Sequence, residues 1–89
     1  MRLIELDGRA MDTRAALHRH LKQALSLPDY YGNNLDALND CLGEMRDVQV
    51  VLRYPQAMLN SLGVYGQRTM DVFRAQADQR SDFRFRSEG

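Results

Sequence analysis

The feature that most constrains the fold is an apolar run in the middle of the chain, Val48-Gln49-Val50-Val51-Leu52. Three of its five residues are β-branched valines, which fit a pleated strand. A nearly all-apolar run is typical of a strand that is central in a sheet or covered on both faces. Helical patterns flank it on both sides, and strands that are separated by helical segments imply parallel pairing through crossover connections.

The remaining segments predict the order β-α-α-β-α-α-β. A first strand covers Leu3 to Leu6 and ends at the turn signal Asp7-Gly8. Asp12 or Thr13 can cap a helix to about Leu25, a second capped helix carries an apolar stripe, and Pro55 can open a short third helix that Gly63 ends. A fourth helix is expected over 67–79 and a last strand over 83–86. The prediction is an α/β fold of two layers, a small three-stranded parallel sheet with about four helices on one face.

Length and composition exclude several classes of protein. The 89 residues predict one domain over 1–89, since no linker divides them. No unbroken apolar run exceeds three residues, so no membrane helix is expected. The single cysteine, Cys41, excludes an intrachain disulfide and favours a cytoplasmic location. Twelve basic and twelve acidic residues leave no net charge, and so no overall basic field for direct nucleic-acid binding.

Residues with catalytic or metal-binding chemistry are scarce. His18 and His20 are two apart on a helix, so their side chains diverge, and we expect two solvent-facing histidines rather than metal ligands. Cys41 lies in a helix beside an apolar stripe among carboxylates, which indicates a buried, unreactive thiol. The chain has no phosphate loop, dinucleotide fingerprint or nucleophile elbow. The expectation is a protein without enzymatic activity, metal or cofactor.

Acidic residues are concentrated in one segment. Residues 29–47 hold five acids and a single base, Arg46. Asp36, Asp40 and Glu44 follow at i, i+4 and i+8 on the second helix, where each like-charged pair costs about 0.2–0.5 kcal/mol. A sequence selected for folding alone would interleave basic residues, so the row needs an explanation.

Three explanations compete for this row. A solvated helix face accounts for Asp36, which favours the helix dipole beside a cap at Asn33 or Asn34, but accounts poorly for Asp40 and Glu44. An enzyme is disfavoured because carboxylates along one exposed helix do not converge in a cleft. A docking surface for a basic partner accounts for all three, because carboxylates accept paired hydrogen bonds from arginine. The preceding Tyr30-Tyr31-Gly32 loop would add an aromatic anchor, with Tyr31 expected to pack on the core.

The segment Leu25-Ser26-Leu27-Pro28-Asp29-Tyr30-Tyr31-Gly32-Asn33-Asn34-Leu35-Asp36-Ala37-Leu38-Asn39-Asp40-Cys41-Leu42 resembles the central segment of the barstar family of ribonuclease inhibitors. The resemblance extends over the whole chain and implies a barstar-like fold, a three-stranded parallel sheet packed with helices. It also implies that the second helix and the loop before it block the active site of a microbial ribonuclease. The family's loop tyrosine falls on Tyr30, its first inhibitory aspartate on Asp36 and its central aspartate on Asp40.

The chain departs from the family pattern around these positions. Asn39 and Met45 stand where the type member has tryptophans, and Ala75 and Gln79 stand where it has acidic residues on a late helix. These departures favour a partner other than barnase itself.

The resulting hypothesis is an inhibitor or immunity protein that is monomeric when free. It would bind a barnase-like ribonuclease or other basic nuclease toxin one to one. It needs no nucleic acid, membrane or cofactor. The alternative is an adaptor that uses the same acidic face on a partner that is not a toxin. The residues expected to contact the partner are Tyr30, Gly32, Asn34, Asp36, Asn39, Asp40, Gly43, Glu44 and Met45.

Overall fold

The computed structural model describes all residues, 1–89, and contains a three-stranded sheet. Its strands are β1 (Arg2–Asp7), β2 (Val48–Arg53) and β3 (Phe83–Glu88), in the order β1-β2-β3. Both pairs of strands are parallel, and Ile4, Val50 and Phe85 share one register position. The structure therefore confirms the three-stranded parallel sheet, with the apolar run as its central strand.

Four helices connect the strands, as the sequence predicts. They are α1 (Arg14–Ala24) and α2 (Leu35–Glu44) before the central strand, and α3 (Pro55–Leu62) and α4 (Val64–Gln79) after it. A 3₁₀ turn, Gly8–Ala10, follows β1 and was not expected. Helix α4 starts three residues earlier than predicted because Gly63, at a φ of 55°, ends α3 and at once begins α4. None of the helices is long and apolar enough to cross a membrane.

The core lies between the helices and one face of the sheet. Side chains alternate between the faces of a strand, and the core takes the alternate positions Ile4 and Leu6 from β1 and Val48, Val50 and Leu52 from β2. The helices contribute the remaining large buried side chains, among them Leu17, Leu21, Leu38, Leu42, Met58, Met70 and Phe73. The opposite face of the sheet exposes Leu3, Glu5, Arg84 and Arg86. This is the predicted two-layer α/β arrangement.

The fold fixes where α2 begins and ends. Its amino end follows the loop of residues 25–34, which begins where α1 ends at Ala24. Its carboxyl end leads through 45–47 into β2, at the centre of the sheet. Leu38 and Leu42 are fully buried, whereas Leu35 and Met45 at the two ends of the same stripe are half-buried against the core. Helix α2 is thus anchored along one side and leaves its other side to solvent.

Candidate protein-docking site

The outward side of α2 carries a row of free carboxylates. Asp36, Asp40 and Glu44, which we call the acidic face, are all exposed. None of the three forms an ion pair, and α2 contains no basic residue. Their mutual repulsion is therefore not relieved within the protein, and the three side chains can accept hydrogen bonds from a cationic partner.

The loop before α2 presents one tyrosine and buries the next. Tyr30 is 85% exposed, whereas Tyr31 is only 6% exposed and belongs to the core. Burial raises the pKa of Tyr31, so it remains a neutral phenol. The structure confirms that Tyr31 packs on the core, and it leaves the ring of Tyr30 exposed in the loop before α2.

Asn34 fixes the junction between this loop and α2. Its Oδ1 accepts a hydrogen bond from the Ala37 amide at 2.8 Å, and its Nδ2 donates to the Gly32 carbonyl at 3.1 Å. Asn34 is therefore the helix cap, one of the two candidates that the sequence offered. Asn33 takes a left-handed φ of 53°, which asparagine tolerates. A Cβ on Gly32 would lie 3.2 Å from Asn34 Nδ2, so glycine leaves room for the capping amide.

A buried histidine holds the same loop from below. His18 is 2% exposed; its Nδ1 lies 2.7 Å from the Tyr31 hydroxyl and its Nε2 lies 2.6 Å from the Tyr65 hydroxyl. The prediction of a solvent-facing His18 is wrong, because the residue continues the buried stripe of Leu21 and Leu25 at helical spacing. Burial, with a smaller effect from Arg14, lowers the pKa of His18, so a neutral ring donates from one nitrogen and accepts at the other.

His20 also has a structural role rather than facing solvent freely. It is half-buried, and its Nε2 accepts a hydrogen bond from the Asp7 amide at 3.0 Å. This bond joins α1 to the end of β1. No group of three or more His, Cys, Asp or Glu residues is arranged to hold a metal ion.

The carboxyl end of α2 is held by side chains of α4 and the turn after it. Arg80 Nη1 donates to the Leu42 carbonyl at 2.9 Å, and Arg80 Nη2 donates to the Met45 carbonyl. Gln76, 7% exposed, orients Arg80 by accepting from its Nη1 at 2.9 Å. Gln76 Nε2 in turn donates to Asn39 Oδ1 at 2.9 Å. The two bonds from Arg80 satisfy carbonyls at the helix end that would otherwise lack partners.

The other predicted contact residues lie along the same helix and at its end. Gly43 and Met45 are half-buried, and Asn39 is exposed although its side-chain oxygen is already bonded to Gln76. Cys41 is half-buried rather than buried as predicted. Its partial burial, together with Glu44 and Asp40, raises the pKa of its thiol, as expected for an unreactive cysteine. Ala75 and Gln79 are exposed on α4, where they offer no charge to a partner. The structure thus places all nine predicted residues between the loop and the end of α2.

Sequence analysis missed the groups that hold the site from behind. Tyr65, Gln76 and Arg80 were not singled out, and His18 was assigned to solvent. Their contacts join residues 13 to 47 positions apart, which local patterns do not show. One signal was present: Thr69, Phe73 and Gln76 follow at i, i+4 and i+7, and all three are buried. A polar residue at such a position indicates an internal hydrogen bond.

Comparison with known proteins identifies the family of this chain. The family model described as "Barstar (barnase inhibitor)" matches residues 1–88. A protein of Bacillus subtilis (strain 168) described as "Putative ribonuclease inhibitor YrdF" is 39% identical over 87 residues, which cover 94% of this chain and 96% of that protein. The chain therefore belongs to the barstar family.

Proposed function

We propose that this protein is an inhibitor, not an enzyme, that binds the active site of a microbial ribonuclease or related nuclease toxin one to one. The observation that carries the proposal is the acidic face, three exposed carboxylates on one helix without an ion pair. Active sites that bind RNA phosphates present arginine and lysine, and carboxylates in those phosphate subsites would exclude the substrate. Family membership and the description of the Bacillus relative support the same function.

Binding would use the loop and the helix together. Tyr30 would contribute an aromatic contact at one end, and Asp40 would lie at the centre of the row, where partner and helix exclude water best. Since α2 is held at both ends by the rest of the fold, little conformational entropy is lost on binding, which favours affinity. We further propose that the protein acts as a monomer in the cytoplasm, where Cys41 stays reduced.

The test uses RNA cleavage as its readout. Purified barnase and any nuclease captured from the host by the tagged protein are each titrated with the wild-type protein and with Asp40→Ala. We expect stoichiometric inhibition of at least one nuclease by the wild type. We expect Asp40→Ala to weaken binding by about 2 kcal/mol or more, a magnitude that derives in part from measurements on barnase–barstar itself.

A matched variant controls for charge. Asp12→Ala removes a carboxylate from an exposed residue before α1, outside the acidic face, and should leave inhibition unchanged. Equal inhibition by the wild type and both variants would show that the acidic face is not part of the interface. A captured partner without nuclease activity, held by the wild type and lost by Asp40→Ala, would identify an adaptor instead.

A further inference from the structure

A second surface, whose charge is opposite to that of the acidic face, lies beside the loop before α2. A cleft of about 410 Å³ runs along α1 and is lined by Arg14, Ala15, His18, Arg19, Lys22 and Asn33. Its volume lies within the range of sites that bind small molecules. The cleft contains none of the residues of the acidic face and has no role in the proposed inhibition.

The cations around this cleft lack anionic partners. Helix α1 has no acidic residue, and none of Arg14, Arg19 and Lys22 forms an ion pair. The only polar contact among the three is that of Lys22 Nζ with the Asp29 carbonyl oxygen, at 3.5 Å. Three positive charges on one side of one helix repel each other, and an anion in the cleft would relieve that repulsion.

Parts of the cleft are already fixed in place. The Arg14 guanidinium stacks on the Tyr65 ring, 4.1 Å from its centroid, which restricts the side chain while leaving its N–H groups free. His18 forms part of the wall, and both of its ring nitrogens are occupied by tyrosine hydroxyls. The Asn33 side-chain amide makes no hydrogen bond within the protein and is free to bind a ligand.

We propose that this cleft binds a phosphate dianion, carried by inorganic phosphate or by the phosphomonoester of a nucleotide. Two guanidinium groups can each donate a pair of hydrogen bonds to phosphate oxygens, and the lysine adds a third positive charge. A single carboxylate would neutralise only one of the three cations, whereas a phosphate dianion neutralises two. The site does not depend on the acidic face, so it can exist whether or not the protein inhibits a ribonuclease.

The first experiment is an NMR titration of the ¹⁵N-labelled protein at constant ionic strength. The ligands are inorganic phosphate, a nucleoside 5′-monophosphate and the same nucleoside without phosphate. We expect saturable shifts of the α1 amides and the Asn33 side-chain amide with the two phosphates and none with the nucleoside. Tighter binding of the nucleotide identifies a nucleotide site, and equal binding identifies a site for the phosphate group alone. Shifts that do not saturate, or that sodium chloride reproduces, would overturn the proposal.

Variants locate the binding. Arg19→Gln and Lys22→Gln change residues at the surface and should not affect the fold, which a thermal melt verifies. Each should weaken phosphate binding about tenfold, the loss expected for one hydrogen bond to a charged group. Arg74→Gln removes the same charge from exposed α4 without touching the cleft and should change nothing. Equal affinity in all these variants would refute the site, and Asp40→Ala should bind phosphate normally while losing inhibition.

Discussion

The two sides of α2 are built in opposite ways. On the inward side Leu38 and Leu42 are fully buried. Gln76 bonds to Asn39 in the middle of the helix, and Arg80 bonds to the Leu42 carbonyl at its end. On the outward side the acidic face makes no ion pair, and no basic residue separates its like charges. The inward side lowers the free energy of the folded protein, whereas the like charges of the outward side repel one another. We propose that a basic partner relieves this repulsion. Substitutions on the two sides should therefore act on different measurable quantities.

The largest effect is expected from the inward side. Leu42→Ala deletes a side chain with no exposed surface and should lower the free energy of unfolding by about 2–5 kcal/mol, through lost burial and the cavity left behind. Leu35→Ala, on the same stripe but half-buried, is the matched control and should cost less. Urea denaturation of both variants measures the difference. An equal cost at the two positions would contradict the conclusion that Leu42 lies in the core and Leu35 at its edge.

The next effect concerns the carboxyl end of α2. Arg80→Gln removes the donors to the Leu42 and Met45 carbonyls and should cost about 1.5–3 kcal/mol of stability, the range for a hydrogen bond to a charged group. Arg80→Lys keeps the charge but lacks the planar fork, so it should recover only part of the loss. Hydrogen exchange of the last turn of α2 reports the local effect. Unchanged protection there in Arg80→Gln would show that this arginine does not hold the helix.

The free energy of unfolding should depend on pH through the support of the loop before α2, where His18 binds Tyr31 and Tyr65. Burial lowers the pKa of His18 below the 6.5 of an unfolded chain, so the unfolded state takes up a proton first as the pH falls. The contribution of His18 is therefore complete above pH 6.5 and is lost as the pH falls below that value. Denaturation at a series of pH values down to about pH 5, above the range of ordinary carboxyl titration, measures it.

Two histidine variants identify the source of this pH dependence. His18→Gln cannot titrate and should flatten the curve below pH 6.5, although it is less stable throughout. His20→Gln removes the bond from the Asp7 amide but keeps His18, so it should retain the slope. A slope that disappears only in His20→Gln would show that His20, and not His18, causes the pH dependence.

What the sequence could predict follows the range of the interactions. The strands, the caps and the row of carboxylates each depend on residues that are close together in the sequence. The structure confirms the predicted topology and the capping role of Asn34. His18 continues a local apolar stripe, but it was misplaced because the tyrosine hydroxyls that satisfy its polar ring lie 13 and 47 residues away. Arg80 was overlooked for the same reason, since its acceptors lie 35 and 38 residues earlier. Local patterns identify the acidic face, but only the tertiary fold shows what holds it.

The smallest effect sharpens the contrast within the acidic face itself. Asp36→Asn removes a negative charge from the first turn of α2, where it favours the helix dipole, and should cost about 0.3–1 kcal/mol of stability. Glu44→Gln removes the same charge from the last turn, where the dipole opposes it, and should raise stability. The gain should be the smaller of the two, because Arg46 and Arg80 already donate to the final carbonyls and offset the negative end of the helix. Urea denaturation at low salt measures both changes, and a loss at both positions would show that local contacts, not the helix dipole, set the energy of the row.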